Sequence, residues 1–188
     1  MKNEAIKKKF DDLAEEHGDS YKAVDVGSAV GLNARYHAIA REIRDRRYKT
    51  ILDVGCAHGG LSEYFPRGYT GIDLSPKQIK VAKKIQIHNT AKFHVADVMD
   101  WPVSANLVVA NGVLYLMDEV SSVRFLDRLW TLTETALMVT TVTNWGEQQE
   151  GEFRPSPSAI LDWAHTKTDN IAMRTDHWKG DLLLTAYR

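Results

Sequence analysis

The chain has 188 residues, 44% hydrophobic and 26% charged, an ordinary composition for a globular protein large enough to bury a core. Its formal net charge of -1 gives it no global attraction for polyanions, which speaks against nucleic acid as a partner. The lone cysteine, Cys56, excludes an internal disulfide framework and points to a reducing, cytoplasmic setting; the charged start MKNEAIKKKFDD does not read as a secretory leader, and no apolar run approaches the roughly 20 residues that cross a bilayer.

Residues 3–17 read as a helix with Ile6, Phe10 and Leu13 on one stripe, stopped by Gly18. Residues 19–31 read as irregular. A second helical pattern covers 32–47, with Leu32, Tyr36, Ile39, Ala40 and Ile43 apolar and Arg41, Arg44, Arg46 and Arg47 outside. From residue 49 onward strand and helix signals alternate, which predicts a parallel sheet covered on both faces. The predicted strands are 50–55, 68–73, 91–96, 105–111, 135–142, 170–178 and 181–187.

Good caps open the helices between them. Ser75-Pro76-Lys77-Gln78 offers a serine N-cap, a proline in the first turn and a glutamine at the capping-box position. Asp118 precedes a helix carrying Val123, Leu126, Leu129 and Trp130, and Ser156-Pro157 precedes Ile160 and Trp163. The last two strands meet through Lys179-Gly180-Asp181, too short for a helical crossover, so they are expected to be antiparallel. The expectation is an α/β, doubly wound, mostly parallel seven-stranded sheet ending in an antiparallel hairpin. It forms one domain over 1–188, with residues 1–47 as an N-terminal helical cap and 48–188 as the core.

The most informative segment is Ile51 to Phe65, ILDVGCAHGGLSEYF: a strand, an acid, a small-residue turn and a short helix. Such a strand–glycine–helix turn builds the nucleotide site of a doubly wound sheet. Twenty residues beyond Asp53 a second strand ends in Asp73, and a third runs into Asp97. A carboxylate such as Asp73 accepts both hydroxyls of a ribose, and Asp97 can accept from an exocyclic adenine amine between Val98 and Leu74. Gly55 and Gly59 let the backbone approach a ligand. Strand-end acids also serve as helix caps, Cys56 reads equally as a packed thiol, and His58 as a solvated loop histidine rather than a base. The loop is G-x-x-x-G-G rather than the G-x-G-x-x-G of a dinucleotide site, and Asp53 would repel a pyrophosphate but suits an ammonium. S-adenosylmethionine (SAM) carries an ammonium and adenosine without phosphate.

The segments LDVGCAHGG, TGIDLSPKQIKVAKK, FHVADVMDW and LVVANGVLYLM together resemble a class I SAM-dependent methyltransferase, of a small stand-alone kind, over about residues 50–188. The resemblance implies a Rossmann-like fold, SAM as cofactor and S-adenosylhomocysteine (SAH) as product. It implies that Asp53, Gly55, Cys56, Ala57 and Gly59 surround the methionine part. Asp73 would then hold the ribose, Asp97 and Val98 the adenine with Leu74 packed on the purine, and Asn111-Gly112 the floor beside the sulfonium. Arg35 is the candidate for the methionine carboxylate, replaceable without loss of fold, and Tyr21 lies over the methionine arm. Ala57 departs from the more usual glycine.

The acceptor is less legible. Tyr115 and Trp145 stand just past two strand ends, where they either line an acceptor pocket or serve as packing and loop anchor. No Asn/Asp-Pro-Pro-aromatic motif follows the fourth strand, no Asp–Asn metal pair is apparent, and no residue stands out as a catalytic base. With the first 47 residues and the polar loop 143–157 left to cover the site, a small-molecule acceptor is expected. The other readings are a SAM-binding module without catalysis and a methylator of nucleic acid or protein that needs a partner subunit.

Overall fold

The computed structural model describes residues 3–44, 46, 48–65, 67–85, 90–143, 154–178 and 180–188. Its strands are β1 (Ile51–Val54), β2 (Tyr69–Asp73), β3 (Lys92–Val95), β4 (Ala105–Asn111), β5 (Thr133–Val142), β6 (Ile171–Arg174) and β7 (Asp181–Tyr187). They form one sheet in the order β3-β2-β1-β4-β5-β7-β6. All pairings from β3 across to β5 are parallel, and β7 runs antiparallel to both β5 and β6. The sequence-derived topology and the closing hairpin are both present. The chain moves outward from β1 through β2 and β3, then returns to β4 on the other side of β1. That reversal opens a crevice at the carboxyl ends of β1 and β4.

The apolar runs of the central strands are explained by burial on both faces. Leu107 and Val109 of β4 point into one core layer with Ile39, Phe93 and Met138, while Val108 and Ala110 point into another with Leu129, Ile160 and Leu182. The twofold alternation of the strand assigns neighbours to opposite layers, and helices cover both.

The helices are α1 (Asn3–His17), α2 (Ala29–Ile43), α3 (Pro76–Ile85), α4 (Glu119–Leu132) and α5 (Pro157–His165). Three start where their caps predict. Ser75 Oγ accepts from the Gln78 N–H at 3.0 Å, Asp118 Oδ1 from Ser121 at 2.8 Å, and Ser156 Oγ from Ala159 at 3.1 Å. Four details differ from the sequence reading. Helix α2 begins at Ala29 rather than 32, because Ser28 Oγ caps it by accepting from the Gly31 N–H at 3.0 Å, and it ends at Ile43 rather than 47. A 3₁₀ turn occupies Tyr21–Val24 inside the segment read as irregular. Strand β6 stops at Arg174 instead of 178, where the Arg174 guanidinium turns to Asp176 and to Glu42 of α2.

The fourth difference is Gln78, which closes no capping box. The Ser75 N–H it would have answered to is taken by Asp73 Oδ1 at 2.8 Å. The fully buried Gln78 amide instead donates to the Ala23 carbonyl at 2.6 Å and the Phe10 carbonyl at 3.4 Å. Asp11 of α1 reinforces this seam by accepting from Ser75 Oγ at 2.6 Å and from the Lys77 N–H at 3.2 Å. A carboxylate at the N-terminus of α3 is favoured by the helix dipole. The N-terminal segment is thereby fastened beside the carboxyl ends of β1 and β2, over the crevice.

Candidate active site

Two adjoining cavities open at that crevice. The first, of about 320 Å³, is lined by Asn3, Ile6 and Phe10 of α1, by Asp73-Leu74 and Asp97-Val98 after β2 and β3, and by Leu116 and Phe125. The second, of about 420 Å³, is lined by Asp25, Ser28, Arg35, Tyr36, Asp53, Cys56, Tyr115, Arg154 and Trp178. Val24, Gly55, Ala57, Asn111 and Gly112 belong to both.

The turn between them is shaped by close approach. Gly55 has φ +74° and a Cβ there would sit 2.7 Å from Val113. Gly59 has φ +77° and a Cβ would sit 2.5 Å from the Phe93 ring. Ala57 also adopts the left-handed region, at φ +48°, which explains why a glycine is the usual occupant. Its N–H is held at 2.9 Å by Asp73 Oδ2, which keeps the turn in place. Ala57→Gly is expected to relieve this strain and raise stability by about 0.5–1 kcal/mol, the left-handed penalty outweighing the extra chain entropy. Equilibrium urea unfolding measures it, and a loss of stability would show that the turn is unstrained.

The carboxylates differ in what already binds them. Asp73 accepts two backbone N–H groups, one per oxygen, from Ala57 and Ser75. Each oxygen keeps acceptor capacity beyond these donors, and Asp73 lines the first cavity. Burial nevertheless pushes the Asp73 pKa up against those two donors. Asp97 accepts from the Met99 N–H at 2.9 Å and from Asn3 Nδ2 at 2.6 Å. Asp53 is 2% exposed and its Oδ2 accepts from the Tyr69 hydroxyl, while its Oδ1 has no hydrogen-bond partner among the described residues. Burial, partly offset by that hydroxyl and increased by Asp73, pushes its pKa up to about 7.

Arg35 reaches the second cavity from α2 but is engaged twice by Asp181 at the start of β7, through Nε to Oδ2 and through Nη2 to Oδ1 at 3.0 Å. Its Nη1 faces Gly112, where it would lie 3.4 Å from an added Cβ. Asn111 Oδ1 accepts from Thr140 Oγ1 at 2.5 Å, which orients its amide at the end of β4. Tyr115 donates to Asp25 Oδ2 at 3.0 Å, and Lys9 pairs with the same oxygen at 2.5 Å. Burial pushes the Cys56 thiol up, as expected of a packed side chain rather than a nucleophile.

The structure brings Asp53, Gly55, Cys56, Ala57, Asp73, Leu74, Asp97, Val98, Asn111, Gly112, Arg35 and Tyr115 onto the two cavities. Gly59 stands behind the turn against Phe93. Tyr21 is placed elsewhere, in a neighbouring depression with Asp19, Tyr36 and His58. His58 is not the solvated loop residue the sequence suggests: it is 5% exposed, and burial lowers its pKa, so it is neutral near pH 7. Trp145 lies outside the described residues. Sequence reasoning missed Tyr69, Asp181 and Trp178. Tyr69 and Asp181 each lie in a β-strand, and nothing local marks their partners. Among the described residues no group of three His, Cys, Asp or Glu side chains is placed to hold a metal, and no helix is long and apolar enough to cross a membrane.

Residues 51–135 match the family described as "Methyltransferase domain". The matched stretch is just under half of the chain. It runs from β1 into β5 and contains Asp53, Asp73 and Asp97, whereas Arg35 and Tyr21 precede it. Among curated relatives, tocopherol O-methyltransferase of Arabidopsis thaliana is 34% identical over 76 residues, 36% of this chain and 22% of that protein. A 2-methyl-6-phytyl-1,4-hydroquinone methyltransferase of Synechocystis is 46% identical over 55 residues, 27% of this chain and 17% of that one. The aligned segments thus span under a quarter of those relatives' length. The fold match extends further than the matched stretch. Magnesium protoporphyrin IX methyltransferase from Synechocystis, crystallised with SAM, superposes with a TM-score of 0.78 over 99% of this chain and 96% of its own, at 16% identity. An N-methyltransferase from Bradyrhizobium japonicum, crystallised with SAH, gives 0.73 over 95% and 97%, at 13% identity. The fold likeness to these two structures therefore takes in both the matched stretch and the helices before it.

Proposed function

We propose that the chain is a SAM-dependent methyltransferase acting on a small-molecule acceptor. The observation that carries this reading is the pair of adjoining cavities, one lined by Asp73, Leu74, Asp97 and Val98 and the other by the buried, half-partnered carboxylate of Asp53. In the first, the free lone pairs of Asp73 take the ribose hydroxyls, Leu74 and Val98 pack on the purine, and Asp97 accepts the adenine amine. In the second, Asp53 Oδ1 takes the ammonium of the methionine arm, Arg35 offers Nη1 to its carboxylate, and Cys56, Ala57 and Gly55 supply the wall. Asn111 and Gly112, which line both cavities, form the floor where the two meet. Tyr21 has no part in this arrangement.

Methyl transfer from a sulfonium is an in-line displacement on an activated carbon. Alignment and exclusion of water supply up to roughly 7–11 kcal/mol in such reactions. No residue is assigned as a general base. At about 420 Å³ the second cavity is of small-molecule size and is lined by Tyr115 and Trp178 for an acceptor, with Trp145 a further proposed contact. The same reading takes residues 1–47 as a helical cap on a core of 48–188. It places the protein in the cytoplasm, a setting in keeping with its lone buried cysteine.

Asp73→Ala is expected to weaken SAM binding roughly 10- to 150-fold, the worth of about 1.5–3 kcal/mol for hydrogen bonds to a charged group. Asp73→Asn, which retains one acceptor for the turn, separates ribose contacts from loop disturbance. Titration calorimetry with SAM and SAH reads both, and unchanged affinity would place the ribose elsewhere. A metabolite extract incubated with methyl-labelled SAM tests the chemistry. Tight SAM binding with no labelled product would leave a SAM-binding module instead.

A further inference from the structure

The amino end of β1 opens into a second kind of depression. Ile51 lies on it, whereas Gly55, four residues on, lies on the cavities described above. At about 3.3 Å per strand residue the two ends are roughly 13 Å apart, so this is a separate place on the molecule. Its volume is about 710 Å³. Four arginines surround it: Arg41 and Arg44 from the end of α2, Arg46 just beyond, and Arg67 before β2. All four side chains are exposed, and no aspartate or glutamate among the described residues lines the depression. None of the four forms an ion pair with a carboxylate among the described residues. The nearest acid that responds to Arg41, Asp176, is already bound by Arg174. In sequence, Asp45 and Arg47 add one charge of each sign and leave the balance unchanged.

Four arginine side chains around one concavity, in a chain of net charge -1, make a local positive field that favours an anion there. Arginine forks match phosphate oxygens two at a time. The walls are aromatic as well as basic. Tyr48 and the Tyr64 ring line the space, and Arg46 is steadied 4.2 Å above the Tyr187 ring. Aromatic faces stack on bases.

We propose that this depression binds a single nucleoside phosphate, its phosphates held by Arg41, Arg44 and Arg67 and its base against Tyr48 or Tyr64. The site stands independently of the methyltransferase reading.

The test is calorimetry of the full chain with ATP, inorganic pyrophosphate and a short oligothymidylate at low salt. ATP is expected to bind at sub-millimolar concentration and pyrophosphate at least about tenfold more weakly, because it lacks the ring. The double variant Arg44→Glu/Arg67→Glu is expected to lose ATP at least about tenfold while its thermal midpoint stays unchanged; Arg44→Gln/Arg67→Gln provides a milder pair with the same direction. Absence of ATP binding, binding that survives both pairs, or displacement of ATP by SAM would overturn the proposal. Pyrophosphate equal to ATP would remove the base from it. Oligothymidylate far tighter than ATP would overturn the one-molecule occupant in favour of a polymer.

Discussion

Arg35→Ala is expected to lower folding stability by about 3–5 kcal/mol, because it strands Asp181 without its partner in a buried site. The Arg35 side chain is 11% exposed and that of Asp181 1%, so water cannot replace the lost guanidinium. The sequence suggested that Arg35 could be removed without harm to the fold; the double engagement by Asp181 reverses that expectation. The pair joins α2 to the first residue of β7, across 146 positions of sequence. Removing both charges together, as Arg35→Met with Asp181→Leu, is expected to recover most of the loss, since a buried pair replaced by apolar groups is often neutral. A double-mutant cycle in urea separates the pair's coupling from its parts. A loss below about 1 kcal/mol for Arg35→Ala would mean that the pair is solvated in solution. SAM affinity, measured on the folded fraction of the same variant, reports independently on whether Nη1 grips the cofactor.

Asp53→Asn is expected to remove a component of pH dependence from both stability and cofactor binding. The folded carboxyl titrates near 7, against about 3.9 in an unfolded chain. Between those values the folded state keeps a proton that the unfolded state has released. Stability from this group is therefore full below about pH 4, falls as pH rises, and is wholly lost above about pH 7. The full loss is on the order of 4 kcal/mol. Asp73, also raised, acts in the same direction. Asp11, Asp118, Asp127 and Asp176 are lowered and act oppositely at lower pH, so the informative quantity is the difference between variant and wild type. Relative to wild type, Asp53→Asn should gain stability from pH 4 to 8. An arriving ammonium favours the carboxylate, so SAM should bind wild type more tightly at pH 8 than at pH 5.5 and release a proton as it does so. Calorimetry in two buffers of different ionisation enthalpy detects that proton. Its persistence in the variant would assign it to another group.

What was readable in the sequence follows from range. Strand runs, the Ser75, Asp118 and Ser156 caps and the glycine turn are local, and each appears close to its expected place. The strand-end acids gather on the crevice because a doubly wound sheet delivers all its carboxyl ends to one side. Ala57 was visible as an oddity, and its positive φ supplies the reason. Long-range choices were not readable. Gln78 had a plausible local partner in the capping box and took distant carbonyls instead, because a fully buried amide must find acceptors wherever packing offers them. The start of α2 was misplaced because Gly27 and Gly31 disguise a serine cap between them. Tyr69 looked like a strand aromatic and proved to be the hydroxyl that holds Asp53.

The order of the sheet also bears on how the chain is made. Strand β7 is translated last of the seven, yet it sits between β5 and β6 rather than at an edge. Until it leaves the ribosome, β5 presents an open row of backbone donors and acceptors, and β6 has no strand beside it. A nascent chain paused before Asp181 therefore carries a long, apolar strand with one open edge, the kind of surface that invites other chains. Deletion of Asp181–Tyr187 removes an interior strand, with consequences for solubility far larger than its seven residues suggest.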